Sequence, residues 1–302
     1  MHHLTKTILQ ASLVSLTLLF ATSVALAGIP LPEHPRPDFQ RDSWMNLNVD
    51  WAFQFDKENT GIKDGWQQDA STFPLTITVP FPWGSKLSGV QDEADIGWYA
   101  RSIVVPSDWD KQRVFLVVGA SDWQTTAWLD GNKVGEHQGG YTPFSIDLTK
   151  HVQFGKEQQL VIRVDDTPHK FKLEGKQGYG RAAGIWQTVY LEKRPVVALN
   201  NVHFTPDIDN DQVLVTATLN QPAAKDLSFL LQFRPDDRKE TTIRKNIAAG
   251  QAEVSFDVSL NDVKLWSLDD PYLYQVEAVV EGEGFADRVS TYFGMRKISV
   301  GN

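Results

Sequence analysis

The 302-residue chain contains no cysteine. That absence removes disulfides, thiolate metal sites, a cysteine nucleophile and a lipid-modified cysteine anchor together. It also lacks a Gly-x-Ser-x-Gly elbow and a His-Glu-x-x-His helix, so two common hydrolytic devices are missing. Basic excess is lacking too: 29 Lys and Arg against 38 Asp and Glu leave a formal charge of −9. Such a balance argues against nucleic acid or an anionic membrane surface as partner. Internal repeats and low-complexity stretches are likewise missing.

Long apolar runs are confined to the N-terminus. Lys6 and two histidines precede an apolar segment from Ile8 to Ala21, and Ala25-Leu26-Ala27 supplies small residues ahead of a cut before Gly28. The segment is short, and no basic stop-transfer cluster follows, which favours a cleaved secretory signal over residues 1–27 rather than a membrane anchor. Its removal takes away Lys6 and no acidic group, moving the charge from −9 to −10. The expectation is an exported protein, periplasmic or extracellular, free of the membrane once cut. Without disulfides it must hold together by core burial alone.

Pro30, Pro32, Pro35 and Pro37 make residues 28–42 an extended tether by this reading, since each fixes φ and removes a donor. Beyond it the periodicity is that of strands. Leu47, Val49, Trp51, Phe53 and Phe55 alternate with polar residues, and Val114 to Val118 is a continuous apolar run expected to be buried on both faces. Asp130-Gly131 between Leu129 and Asn132 reads as a tight hairpin turn, and Gly139-Gly140 as a bulge or corner. Past Lys193-Arg194-Pro195 six or seven short alternating strands occupy about a hundred residues, the pattern of an immunoglobulin-type sandwich.

Three motifs in order, Gly119 to Gln124, Trp128 to His137 and Gly139 to Phe144, resemble the sugar-binding domain of glycoside hydrolase family 2, which contains β-galactosidases, β-glucuronidases and β-mannosidases. Gly184 to Glu192 is similar to that domain's closing strand. Leu265 to Leu268, Asp270 to Tyr274 and Tyr292 to Arg296 resemble the family's second domain. The resemblance implies an all-β chain: a galactose-binding-like jelly-roll β-sandwich over 43–194, then an immunoglobulin-like β-sandwich over 195–300. In the family the last strand leads into a catalytic barrel of about 250 residues. There, two glutamates held about 5 Å apart act as acid and nucleophile. No glutamate of this chain matches either, so the two sandwiches imply a non-catalytic front half, inactive alone, whose partners are a β-linked carbohydrate and a barrel in the same protein or a separate chain.

The candidate substrate-binding residues are Trp123, Gln177, Tyr179 and Arg181. The last three lie in a glycine-rich loop that in relatives touches the bound sugar. Several relatives carry an acid where Gly178 stands here, a departure that bears on this contact. Gly178, Gly180 and Gly184 do not form a dinucleotide loop, because the third glycine is one place late and no helix follows. Asp207, Asp209 and Asp211 imitate the start of a calcium loop, but Gln212 and Thr218 stand where its glycine and glutamate belong. Asp92, Glu93 and Asp95 read as a solvated acidic loop. His34, His137, His151, His169 and His203 share no ligand spacing. No cofactor and no metal are expected. Two other readings remain open: a free-standing carbohydrate-binding module using Trp83, Trp98, Trp123 and Tyr179, and a ligand-free structural or interaction protein.

Overall fold

The computed structural model describes residues 28–168, 183–233 and 241–299. The first domain comprises β1 (Trp44–Asn46), β2 (Val49–Phe55), β3 (Leu75–Val79), β4 (Ile96–Val104), β5 (Arg113–Val118), β6 (Ser121–Asp122), β7 (Gln124–Leu129), β8 (Asn132–Gln138), β9 (Phe144–Asp147), β10 (Glu157–Asp165), β11 (Gly184–Ile185) and β12 (Val189–Arg194). A four-stranded sheet, β1-β12-β5-β9, faces a six-stranded sheet, β3-β2-β4-β10-β7-β8. Together they make the jelly-roll sandwich. Period-2 alternation sends Trp51, Phe53, Tyr99, Leu129 and Ile162 inward from the large sheet, against Val114, Leu116, Val118 and Leu191 from the small one.

The large sheet also buries part of its outer face. Trp98 and Trp128 stack there with centroids 5.3 Å apart, and Trp66 and Phe73 cover them. Asp56 anchors this layer by accepting hydrogen bonds from Trp98 Nε1 and from the Thr60 and Gly61 amides. Trp98 is therefore a core residue rather than a loop platform. Asp130 and Gly131 both take positive φ, +47° and +75°, the geometry of the tight hairpin their sequence suggested. On β5 one residue departs from the expected double burial: Phe115 lies half-exposed under the guanidinium groups of Arg113 and Arg194, at 4.9 and 4.3 Å from its ring.

Among the described residues the second domain has seven strands: β13 (Leu199–Asp207), β14 (Gln212–Leu219), β15 (Leu227–Phe233), β16 (Thr241–Ile247), β17 (Glu253–Ser259), β18 (Tyr274–Gly282) and β19 (Phe285–Phe293). They form an antiparallel β13-β14-β17 sheet packed on β16-β15-β18-β19, an immunoglobulin-type sandwich. Val213, Val215, Phe229, Leu231, Ala278 and Val289 fill its centre. No helix among the described residues is long and apolar enough to cross a membrane.

Residues 28–42 run as a series of bends with a turn at 37–38 and a positive φ at Leu31, and His34, Phe39 and Arg41 are buried. Pro30 and Leu31 carbonyls accept from Asn48 and Asn46, Phe39 enters the second core, and Gln40 pairs with Ser290 through two backbone bonds of 2.9 and 2.8 Å. Arg41, 4% exposed, lies between the domains. It donates to both Asp287 carboxylate oxygens at 2.8 and 2.9 Å, to Glu192 at 3.1 Å and to the Leu199 carbonyl at 2.6 Å. The segment thus straps the sandwiches together.

His34 is buried within the strap beside Glu192, with Trp44 and Tyr190 against its ring. Burial holds its pKa below the usual 6.5. Below pH 6.5 the unfolded chain binds a proton that the folded chain resists. This group's contribution is therefore full above 6.5 and declines as pH falls from there through the lowered native pKa. Replacing His34 by glutamine should flatten the fall in unfolding free energy across that window, measured by urea denaturation at stepped pH. An unchanged slope would refute the assignment.

Candidate functional site

The site is built where the chain leaves β10 at Asp165 to Pro168 and returns at Ala183. On the outgoing side the Asp166 amide donates to the Asp95 carbonyl at 2.7 Å. Arg163 reaches the Asp165 carboxylate at 2.9 Å. On the return side Ala183 bridges to Trp83, and β11 pairs with β6 in the register Gly184 to Asp122 and Ile185 to Ser121.

Trp83, 3% exposed, plugs this end of the sandwich against Phe53 and Tyr99. Beside it, Tyr99 is fully enclosed and its hydroxyl accepts the Ile185 amide at 3.2 Å. Burial pushes the phenol well above its ordinary pKa, so it stays neutral. Over this base opens a cleft of about 210 Å³ lined by Trp83, Glu93, Ala94, Asp95 and Ala183. Glu93 and Asp95 are both exposed. Water-accessible carboxylates beside an indole suit the acceptance of hydroxyl protons by a polar ligand.

A second group gathers around the Gly139–Gly140 corner. Trp123's carbonyl accepts the Gly139 amide at 3.0 Å, and Trp186 Nε1 donates to the Gly140 carbonyl at 2.8 Å. Tyr141, 57% exposed, meets Trp186 edge-on with centroids 5.7 Å apart. Gly140 is required by this approach, because a methyl group there would lie 2.6 Å from Asp122 Oδ1. Trp123, Trp186 and Tyr141 thus offer partly exposed aromatic surface of the kind that packs on the apolar face of a sugar ring.

Of the residues expected from sequence, Trp123 falls in this group. Gln177, Tyr179 and Arg181 lie in 169–182, outside the described residues; both ends of that stretch are rooted here. Trp186 and Tyr141 were not among the expected residues, although their positions beside Gly184 and Gly140 carried the signal. Trp83, a candidate for the binding-module reading, is a plug. The three aspartates at 207, 209 and 211 form a turn in which Asp207 accepts from the Asp209 and Asn210 amides and Asp209 pairs with Lys297. Among the described residues no group of three His, Asp or Glu side chains could hold a metal ion.

A jelly-roll sandwich strapped to an immunoglobulin-type sandwich thus presents partly exposed aromatic and acidic side chains at one end. Residues 44–195 match the model of the glycosyl hydrolases family 2 sugar binding domain and residues 197–296 that of glycosyl hydrolases family 2; the chain belongs to this family. It is 25% identical over 285 residues to a β-glucuronidase of Paenibacillus borealis, covering 84% of this chain and 46% of the relative. A β-galactosidase of Thermoanaerobacter pseudethanolicus is 25% identical over 267 residues, covering 84% and 35%. The fold resembles Ruminococcus gnavus β-glucuronidase, with a TM-score of 0.70 and 19% identity over 86% of this chain and 46% of that one. That enzyme has also been solved with D-glucuronic acid. The chain spans about half or less of the length of these relatives.

Proposed function

We propose that the two sandwiches are the non-catalytic front of an exported family 2 β-glycosidase, shaping the substrate site of a catalytic barrel supplied by the same protein or by a second chain. The observation that carries this reading is the consecutive match of both family domains across residues 44–296. Export rests on the signal-like residues 1–27, and a periplasmic or extracellular location follows from it. The roots of 169–182 support a role for Gln177, Tyr179 and Arg181 beside Trp123 at a bound β-linked sugar.

Apolar exposure supports the barrel. Leu265 joins Met295 through a parallel bridge, and Leu265, Leu268 and Ile298 are 49%, 87% and 79% exposed. Large apolar side chains left this exposed suit a covering partner. A second reading, a free-standing carbohydrate-binding module, is favoured by the partly exposed Tyr141 and Trp186.

Two assays on the purified chain separate them. Aryl β-galactoside, β-glucuronide and β-mannoside should show no turnover; measurable hydrolysis would overturn the non-catalytic role. Calorimetric titration with galactose, mannose, glucuronate and short β-linked oligosaccharides should give no saturable heat weakened by Trp123→Ala or Arg181→Ala unless a barrel completes the site. Such heat from the chain alone would favour the module.

A further inference from the structure

A groove of about 760 Å³ on the outer face of the second sandwich is left unused by the front-half reading. It is within the range of roughly 300–1,000 Å³ typical of ligand sites. Its floor is set by register. Gln40 lies opposite Ser290, Ser290 opposite Glu277, and Glu277 opposite Gln232, so four hydrogen-bonding side chains line up across the strap, β19, β18 and β15. Adjacent strands stand about 4.8 Å apart, which gives a polar ladder spanning about 14 Å. One step along, Tyr292 lies opposite Gln275. Pro37 of the strap and Leu273 contribute apolar wall.

Strand alternation explains why these residues face outward. On β19, Asp287, Val289, Thr291 and Phe293 are buried, while Ser290 is exposed and Tyr292 half-exposed; on β18, Tyr274, Val276 and Ala278 are buried, while Gln275 is exposed and Glu277 half-exposed. The strap adds its own member in phase, with Phe39 and Arg41 inward and Gln40 outward. The groove's one carboxylate, Glu277, is ion-paired with Arg288. What is left is amide and hydroxyl chemistry plus one aromatic ring.

We propose that this groove is a binding site for a neutral oligosaccharide, distinct from the site on the first sandwich. A linear ladder of amide and hydroxyl groups matches ring hydroxyls repeated along a chain, which a single monosaccharide would engage only in part. The tyrosine ring and the proline supply surface for the apolar faces of the sugar rings. Pairing of Glu277 with Arg288 leaves no surplus charge to attract a polyanion, so an uncharged glycan is selected. Gln40 makes the strap part of the site, and ligand binding there favours the strapped state.

The test is calorimetric titration of the purified chain with cellohexaose, mannohexaose, xylohexaose and, as the charged comparison, oligogalacturonate. Saturable binding of at least one neutral hexaose is expected. It should weaken by about tenfold or more in Tyr292→Ala and in Gln275→Lys, which replaces a neutral amide of the groove by a cation, and be unaffected by Trp123→Ala. Tyr292 and Gln275 lie on the outer face, and retention of near-ultraviolet circular dichroism verifies that the variants are folded. Absence of binding by the folded chain, binding insensitive to both groove variants, or preference for oligogalacturonate would each overturn the proposal. Because the readout is Tyr292 and Gln275 rather than Trp123 or hydrolysis, its failure leaves the front-half reading intact, and the reverse also holds.

Discussion

Arg41→Ala is expected to lower the unfolding free energy by about 3–5 kcal/mol, the usual cost of removing one member of a buried ion cluster. Glu192 and Asp287 are 2% and 3% exposed; the substitution strands the Asp287 carboxylate and leaves Glu192 with Arg194 alone, at 2.6 Å. Asp287 also accepts the Leu199 amide at 2.7 Å, so it cannot turn away to water without breaking a second bond. At this chain length the midpoint should fall on the order of 10 °C. Arg41→Lys should sit between, because a lysine cannot reproduce the bidentate fork on Asp287. Arg36→Ala removes a pair that is about half exposed on both sides, with side chains 44% and 52% accessible, and should cost under about 1 kcal/mol.

The cluster also distinguishes a strap from a mere contact. Arg41 joins Glu192 of the first sandwich to Asp287 of the second, so its loss should split one cooperative transition into two, followed by urea titration with tryptophan fluorescence and circular dichroism together. The tryptophans make this readable: nine of the ten precede residue 195 and one, Trp266, follows it. Coincident transitions in Arg41→Ala, or a cost below about 1 kcal/mol, would refute the interdomain role. Replacing Arg41, Glu192 and Asp287 together by apolar residues of similar size should recover only part of the loss, since the desolvation cost disappears with the charges while the Leu199 amide and Arg194 lose their acceptors.

Local chemistry was legible in the sequence. The Asp130-Gly131 turn needs two residues that accept positive φ, and both are there in the letters. The second sandwich was legible because Val213, Val215 and Ala217, or Tyr274, Val276 and Ala278, alternate without interruption. Long-range polar partners were not. Arg41 finds Glu192 and Asp287 at separations of 151 and 246 residues, and no periodicity marks an arginine that will be buried between domains. For the same reason a proline-rich stretch read as a tether is pinned at His34, Phe39 and Arg41, because the surface these side chains enter is assembled from distant strands. Trp98 entered only the binding-module reading, with core the better expectation for it, and it lies in the aromatic layer outside the large sheet.

Gly184→Ala is the other substitution expected to act strongly, and it acts at the root of the candidate site. Gly184 has φ of +81°, and an added methyl group would lie 2.3 Å from Tyr99 Oη and 2.4 Å from Trp83 Cζ3. The left-handed backbone costs about 1–2 kcal/mol for a residue with a Cβ. Overpacking of a closed core adds about 1–3 kcal/mol. A total of about 2–5 kcal/mol follows, against about 1–3 kcal/mol for Tyr99→Phe, which leaves the buried Ile185 amide without its acceptor. The two should couple. Removing the Tyr99 hydroxyl takes away the closest clash, so Gly184→Ala in a Tyr99→Phe background should cost less than the sum of the single changes by about 0.5 kcal/mol or more. Trp83 stays in place, and the rescue is therefore partial. Additive costs measured by urea unfolding would mean that backbone strain alone carries the penalty; a cost within about 0.5 kcal/mol of zero would mean that the Trp83–Tyr99 base yields freely. The expected result makes that base rigid, and a rigid base fixes where Ala183 and β11 sit against Trp83 and β6.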